Sequence, residues 1–144
     1  MRGKFLTLEG GEGAGKTTLI RTLESWLKER GIEVVMTREP GGTPGAEQLR
    51  DILLKGATDR WSPVTEALLM YAARVDHVER LIEPALARGA WVISDRFADS
   101  TMAYQGTAGG VPVERIRQLH AAALGDFNPD LTLILDLDPR TGLE

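Results

Sequence analysis

The chain has 144 residues, the size of one domain at about 100–200 residues each. Its 42% hydrophobic and 26% charged content excludes collagen-like and disordered classes. Seventeen Lys and Arg against 21 Asp and Glu give a net charge of −4, so no general attraction draws it to nucleic acid or anionic lipid, and bound phosphate must be held locally.

Lys4–Glu9 reads as a strand and runs straight into Gly10-Gly11-Glu12-Gly13-Ala14-Gly15. Leu19, Ile20, Leu23, Trp26 and Leu27 then recur at helical spacing, and Gly31 supplies a stop. Ile32–Met36 is predicted as the second strand, ending in the breakers Glu39–Pro44, and Ala46–Lys55 as a short helix closed by Gly56. From Ser62, an N-cap followed by Pro63, the longest helical pattern reaches about Arg88. Its apolar residues cover more than one face, which predicts burial on two sides, and Pro84 is expected to interrupt the last turn. Trp91–Ser94 is a strand, Pro112–Leu124 a helix and Leu131–Leu137 a strand. The alternation predicts a parallel sheet with helices on both faces, an α/β fold.

Cysteine is absent, which removes disulfides, thiolate metal sites and cysteine nucleophiles together. The apolar run Phe5–Leu8 is too short for a signal-peptide core, and nothing approaches the ~18–20 apolar residues of a membrane span. The expectation is a cytoplasmic protein with no nucleic-acid or membrane partner.

Gly10–Thr17 fits G-x-x-x-x-G-K-[ST] at every fixed position, after a predicted strand and before a predicted helix. The glycines let consecutive N–H groups curl toward phosphate oxygens, and the helix opening at Gly15 adds its dipole. Lys16 then reaches the β- and γ-phosphates of ATP, and the Thr17 hydroxyl can ligate Mg²⁺. This predicts a three-layer P-loop NTPase-type fold. N/T-K-x-D and D-x-x-G are absent, which argues against a GTPase. Trp91–Arg96 ends in Asp-Arg, which suits a small kinase in which Asp95 orders Mg²⁺ and Arg96 clamps a phosphate.

Five motifs in order now carry a resemblance: Leu8-Glu9-Gly10 through Lys16-Thr17-Thr18; Thr37-Arg38-Glu39-Pro40-Gly41-Gly42-Thr43-Pro44; Tyr71-Ala72-Ala73-Arg74; Ser94-Asp95-Arg96-Phe97 with Asp99-Ser100-Thr101 and Ala103-Tyr104-Gln105-Gly106; and Pro129-Asp130-Leu131-Thr132 with Leu135-Asp136-Leu137. Over essentially its whole length the chain resembles the bacterial thymidylate kinases. The resemblance implies phosphoryl transfer from ATP to dTMP with Mg²⁺, in a homodimer whose helices pack across a two-fold axis.

Carried over residue by residue, it makes Gly10–Thr18 the ATP loop, with Glu12 facing the acceptor sugar's 3′-hydroxyl. Arg38 would shape the acceptor site, and Glu39-Pro40 would be a cis bond. Arg74 would hold the base, Arg96 the acceptor phosphate, and Arg50 would be a second phosphate ligand. Ser100 and Thr101 would bond the thymine edge, and Tyr104 would lie beside the deoxyribose, followed by Gln105. Catalytic roles fall to Lys16, Arg96, Asp95 and Glu12. His77 and His120 read as structural, since phosphoryl transfer needs no general base here.

Two departures stand out. Where the family usually stacks a Phe on thymine, four residues before Arg74, this chain has Met70. The family continues past the last strand into an arginine-bearing lid, so residues 1–144 are expected to form a single nucleoside monophosphate kinase domain incomplete at its C-terminus. A kinase for another deoxynucleoside monophosphate and a P-loop nucleotide-binding module with little turnover are the alternatives.

Overall fold

The structure, a computed structural model, describes residues 1–10, 15–56, 59–101, 106 and 108–135, with the side chains of Asp99 and Ser100 outside the description. Four strands, β1 (Phe5–Glu9), β2 (Val34–Arg38), β3 (Trp91–Asp95) and β4 (Leu131–Ile134), form a parallel sheet in the order β2-β3-β1-β4. The central strands are apolar on both faces because each face is covered, as a parallel sheet requires. Alternate residues serve the two sides. On one, Leu8 and Ile93 pack against Leu27, Leu19, Ile20 and Leu23 of α1 (Lys16–Glu29). On the other, Phe5, Val92 and Phe97 meet Val78, Ile82, Ala85 and Leu86. The fully buried ones among them, such as Phe5, Leu8, Leu27, Ile82, Val92 and Ile93, contribute about 1.5–3 kcal/mol each, so the two layers together fix where the strand ends lie.

β2 starts and ends two residues later than its apolar run predicts. Its register on β3, Val34 beside Trp91 through Arg38 beside Asp95, carries the ladder past the hydrophobic stretch. Pairing with a neighbour, not hydrophobicity, sets that end. α2 (Pro44–Leu54) is capped by Thr43, whose Oγ1 accepts from the Ala46 N–H at 3.2 Å.

The long helical pattern is not one helix. Ser62 Oγ accepts from the Thr65 N–H at 3.2 Å and opens α3 (Pro63–His77). A π turn spans Val78–Ile82, and α4 (Glu83–Ala87) follows. Pro84 lacks an N–H and its ring would crowd the carbonyl four residues back, and the wide turn falls just before it. The expected burial on two sides is only half met: Ala67, Tyr71, Ala73, Arg74 and His77 are buried, whereas Leu68 stays 54% exposed in the single chain. A four-residue helix, α5 (Ala98–Thr101), was too short to show a period, and α6 (Val113–Leu124) ends at Gly125 with φ 65°. Among the described residues no helix is long and apolar enough to cross a membrane.

Candidate active site at the carboxyl ends of the strands

Parallel pairing brings the ends of β1, β2 and β3 to one level: Asp95 lies in register with both Leu8 and Arg38. Ligands of open α/β sheets sit at this edge. Gly10 has φ 141°, and a Cβ there would meet the Leu135 carbonyl oxygen at 2.6 Å, so only glycine lets the chain leave β1 against the end of β4. Gly15 (φ 88°) precedes α1 and offers no side-chain cap, and the first turn carries no acid. The first N–H groups of α1 are thus left for an anion, with the positive end of the dipole behind them. Thr17 and Thr18 are exposed on this turn.

Lys16 Nζ donates to Asp95 Oδ1 at 2.8 Å. Beside it, Arg96 adopts φ 74°, the only described residue other than glycine in the left-handed region. Three bonds hold it there: its N–H donates to Leu8 O (2.9 Å), its carbonyl accepts from Ser94 Oγ (2.7 Å), and the next N–H, of Phe97, donates to Glu9 Oε2 (2.9 Å). Strain held by surrounding structure is common where a side chain must be aimed. The Arg96 guanidinium reaches back to the Gly10 carbonyl at 3.4 Å, which ties β3 to the opening of the phosphate loop.

After β2 the chain turns through a cis Glu39-Pro40 bond, as expected. Arg38, at the end of β2, is exposed and pairs with Glu47 (2.9 and 3.4 Å), which also accepts from the Gly42 N–H. That hydrogen bond raises the Arg38 proton affinity and lowers that of Glu47. Arg50 donates to the Pro40 carbonyl at 2.8 Å; burial and the Arg38 cation lower its proton affinity, while Glu47, Asp95 and Asp51 oppose them.

Arg74, on α3, is fully buried. Its Nε donates to Glu39 Oε1 at 2.6 Å and its Nη1 to Thr101 Oγ1 at 3.0 Å, and the guanidinium lies over the rings of Tyr71 (4.7 Å) and Phe97 (5.0 Å). Nη2 has no hydrogen-bond partner among the described residues. Burial works against the charge, but the Glu39 carboxylate and Tyr71 outweigh it and raise the proton affinity; burial also pushes the Tyr71 phenol up. Met70 is half-buried one turn before Arg74.

The structure therefore brings Lys16, Asp95 and Arg96 together, gathers Arg38 and Arg50 around the turn after β2, and joins Arg74 to Thr101. Gly11, Glu12, Gly13, Ala14, Tyr104, Gln105 and the side chain of Ser100 lie outside the described residues. The sequence reading missed Glu39 as the counter-ion of Arg74, and His77 as its neighbour. One signal was available: an arginine on the most apolar helix demands a carboxylate, and a histidine three residues on shares its face. His120 is structural as expected, accepting from the Tyr71 hydroxyl at 2.8 Å and donating to the Phe127 carbonyl at 2.7 Å.

The described residues contain no cluster of three or more His, Asp or Glu that would cage a metal. They suit Mg²⁺ all the same. Magnesium commonly takes one or two protein oxygens, keeps waters, and completes its shell with substrate phosphates. The Asp95 carboxylate, 40% exposed beside Lys16, and the Thr17 hydroxyl are such oxygens.

Residues 8–144 match the family model described as thymidylate kinase. A thymidylate kinase from Caulobacter vibrioides is 60% identical over 143 residues, covering 99% of this chain and 69% of that protein. Another, from Nitrosospira multiformis, is 55% identical over 142 residues, with the same shares covered. The crystal structure of thymidylate kinase from Ehrlichia chaffeensis superposes with a TM-score of 0.86 at 39% identity, over 99% of this chain and 81% of that one. The chain spans about two thirds of the length of the curated relatives it matches. On the strength of the family match, these identities and the shared fold, it belongs to the thymidylate kinase family.

Proposed function

We propose that residues 1–144 form one nucleotide-kinase domain that transfers the γ-phosphoryl group of ATP to dTMP, giving ADP and dTDP. The observation that carries this reading is a donor end and an acceptor end on one sheet edge. Lys16 and the uncapped start of α1 stand beside Asp95, while a fully buried Arg74 keeps one nitrogen without a partner among the described residues, with Arg38, Arg50 and Arg96 near the same strand ends.

Phosphoryl transfer asks for positioning and charge neutralisation more than covalent chemistry. The loop Gly10–Thr18 grips the ATP phosphates through its amides, and Lys16 exchanges the Asp95 carboxylate for phosphate oxygens. Arg96, with Arg50, takes the acceptor phosphate in a charge-assisted, bidentate grip, and Arg38 closes that side. A guanidinium only donates, so Arg74 donates to the O4 carbonyl of thymine and finds no acceptor in the N4 amino group of cytosine. Met70 packs on the base with its thioether, and Ser100 and Thr101 bond the base edge. Glu12 faces the 3′-hydroxyl, and Tyr104 and Gln105 line the sugar. Thr17 and Asp95 would hold Mg²⁺, which when bound supplies positive charge to the phosphate oxygens.

A homodimer belongs to the same reading. Leu68 and Val64 are exposed on α3 beside a cavity of about 300 Å³ toward α6, floored by Ala67, Val111, Ile116 and Leu119. A second copy covers this surface. A cytoplasmic location, where both nucleotides are at hand, goes with it.

The test is ADP release with dTMP, dUMP, dCMP and AMP as acceptors, together with ATP binding by calorimetry. Turnover with dTMP above the others is expected. Preference for dCMP or AMP overturns the substrate, and tight ATP binding without turnover on any acceptor leaves only a nucleotide-binding module.

A further inference from the structure

His77 is fully buried and bonded at both ring nitrogens. Nδ1 lies 2.6 Å from Glu39 Oε2, and Nε2 lies 2.6 Å from Thr37 Oγ1. A carboxylate can only accept, so Nδ1 carries a proton, and in the neutral ring Nε2 accepts from the Thr37 hydroxyl. The two hydrogen bonds fix the ring, and Gly42 (φ 100°) packs so closely on it that a Cβ there would meet its Cδ2 and Nε2 at 2.3 Å. The turn after β2 is thus packed directly on the ring.

The other oxygen of Glu39 holds Arg74 Nε. Four side chains from two segments therefore form one line, from Thr37 at the end of β2 through His77 to Glu39 and back to Arg74 on α3. In that line the carboxylate has no freedom: one oxygen is fixed by the histidine, which orients the other toward the guanidinium. With Nε on Glu39 and Nη1 on Thr101, a planar group has one orientation, and it is the orientation that leaves Nη2 without a hydrogen-bond partner among the described residues. Outer partners of this kind set the aim of a group that meets the ligand.

We propose that His77 is a positioning residue for base recognition: acting through Glu39, it fixes the Arg74 guanidinium so that Nη2 stays available to the carbonyl of the incoming base. The proposal rests on the reading that Arg74 holds the base.

The two isosteric amides separate its ends. His77→Asn keeps an N–H near the Nδ1 position, where it still donates to Glu39. His77→Gln places its amide near Nε2 and keeps only the Thr37 side. Asparagine is one methylene shorter than glutamine and leaves the larger void, so a purely structural role makes His77→Asn the worse variant in both melting temperature and dTMP binding, the reverse of the order proposed. Calorimetry of the full chain with dTMP is expected to show binding about tenfold weaker for His77→Gln, the loss of one hydrogen bond to a charged group, and within about twofold of the unsubstituted chain for His77→Asn. ATP binding stays unchanged in both. Equal dTMP affinities in the two variants overturn the proposal. Should either variant not fold, histidine-labelled NMR of the unsubstituted chain decides: His77 signals must report a protonated Nδ1 and shift when dTMP is added, and no shift overturns the proposal. Arg74→Lys is the control for the reading beneath it. If that variant binds dTMP normally, the base-recognition reading falls, whereas weakened binding there with equal histidine variants removes the positioning role alone. Failure of the unsubstituted chain to bind dTMP overturns both.

Discussion

Lys16 Nζ sits 2.8 Å from Asp95 Oδ1, with the lysine side chain only 10% exposed and the aspartate 40%. The lysine at the head of α1 is thus neutralised by the end of β3 and never faces the apolar layer as a bare cation. On the proposed reading an incoming polyphosphate displaces that carboxylate, and Mg²⁺ would help by binding it.

Asp95→Asn removes the competitor and its repulsion of phosphate. ATP should then bind about two- to fivefold more tightly in the presence of a chelator, because an ion pair this accessible is worth up to about 1 kcal/mol. The gain from adding Mg²⁺ should shrink at the same time. Titrations with and without the metal check both, and weaker metal-free binding contradicts the exchange.

The Glu39–Arg74 pair is dry at both ends. Glu39→Ala strands a buried cation and should lower stability by about 3–5 kcal/mol, whereas Glu39→Leu combined with Arg74→Met should cost much less than the two single changes added together. Urea denaturation of the four proteins measures the difference. Additive losses would mean the two charges do not depend on each other.

Arg96 keeps a backbone that suits glycine. Arg96→Gly should be more stable than Arg96→Ala by about 0.5–1 kcal/mol, since it releases the left-handed strain. Both should lose acceptor-phosphate affinity equally. Comparing melting curves with dTMP binding separates the backbone effect from the side-chain effect.

Glu47 loses proton affinity to its hydrogen bonds with Arg38 and the Gly42 N–H. Its folded value lies below its unfolded one, so its stabilisation is complete above about pH 4.5 and is lost as pH falls through the lowered value. The urea midpoint of the unsubstituted chain should therefore exceed that of Glu47→Gln by a constant margin near neutrality, and the margin should close below that range. At this exposure the margin is no more than about 1 kcal/mol. A margin that grew in acid would reverse the sign.

Leu68→Arg puts a charge on the exposed side of α3. Light scattering at micromolar concentration should give the single-chain mass of 15.7 kDa for this variant and twice that for the unsubstituted chain. Equal masses would remove the dimer.

Local signals made most of the fold legible. Glycine runs, caps such as Ser62 and the short continuous apolar runs of β1 and β3 are each written within a few residues. The phosphate loop was legible for the same reason, because Gly10 and Gly15 through Thr17 must be adjacent to curl around an anion. Features that depend on a neighbour were not. The end of β2 follows from its register on β3, and the partnership of Glu39 with Arg74 and His77 spans 35 and 38 positions of sequence. No spacing rule links a turn residue to a helix so far away. Only the cost of burying a guanidinium alone could have raised the question.

The π turn at Val78–Ile82 acts as a phase slip in an otherwise single rod. One surplus residue turns everything after it by about 100° about the axis. Upstream, Arg74 and His77 answer to the polar turn after β2; downstream, Ile82, Ala85 and Leu86 answer to the oily underside of the sheet. Deleting any one residue of 78–82 would restore the regular winding and swing one strip off its target, so a shortening there should be far more harmful than substitutions at the same positions.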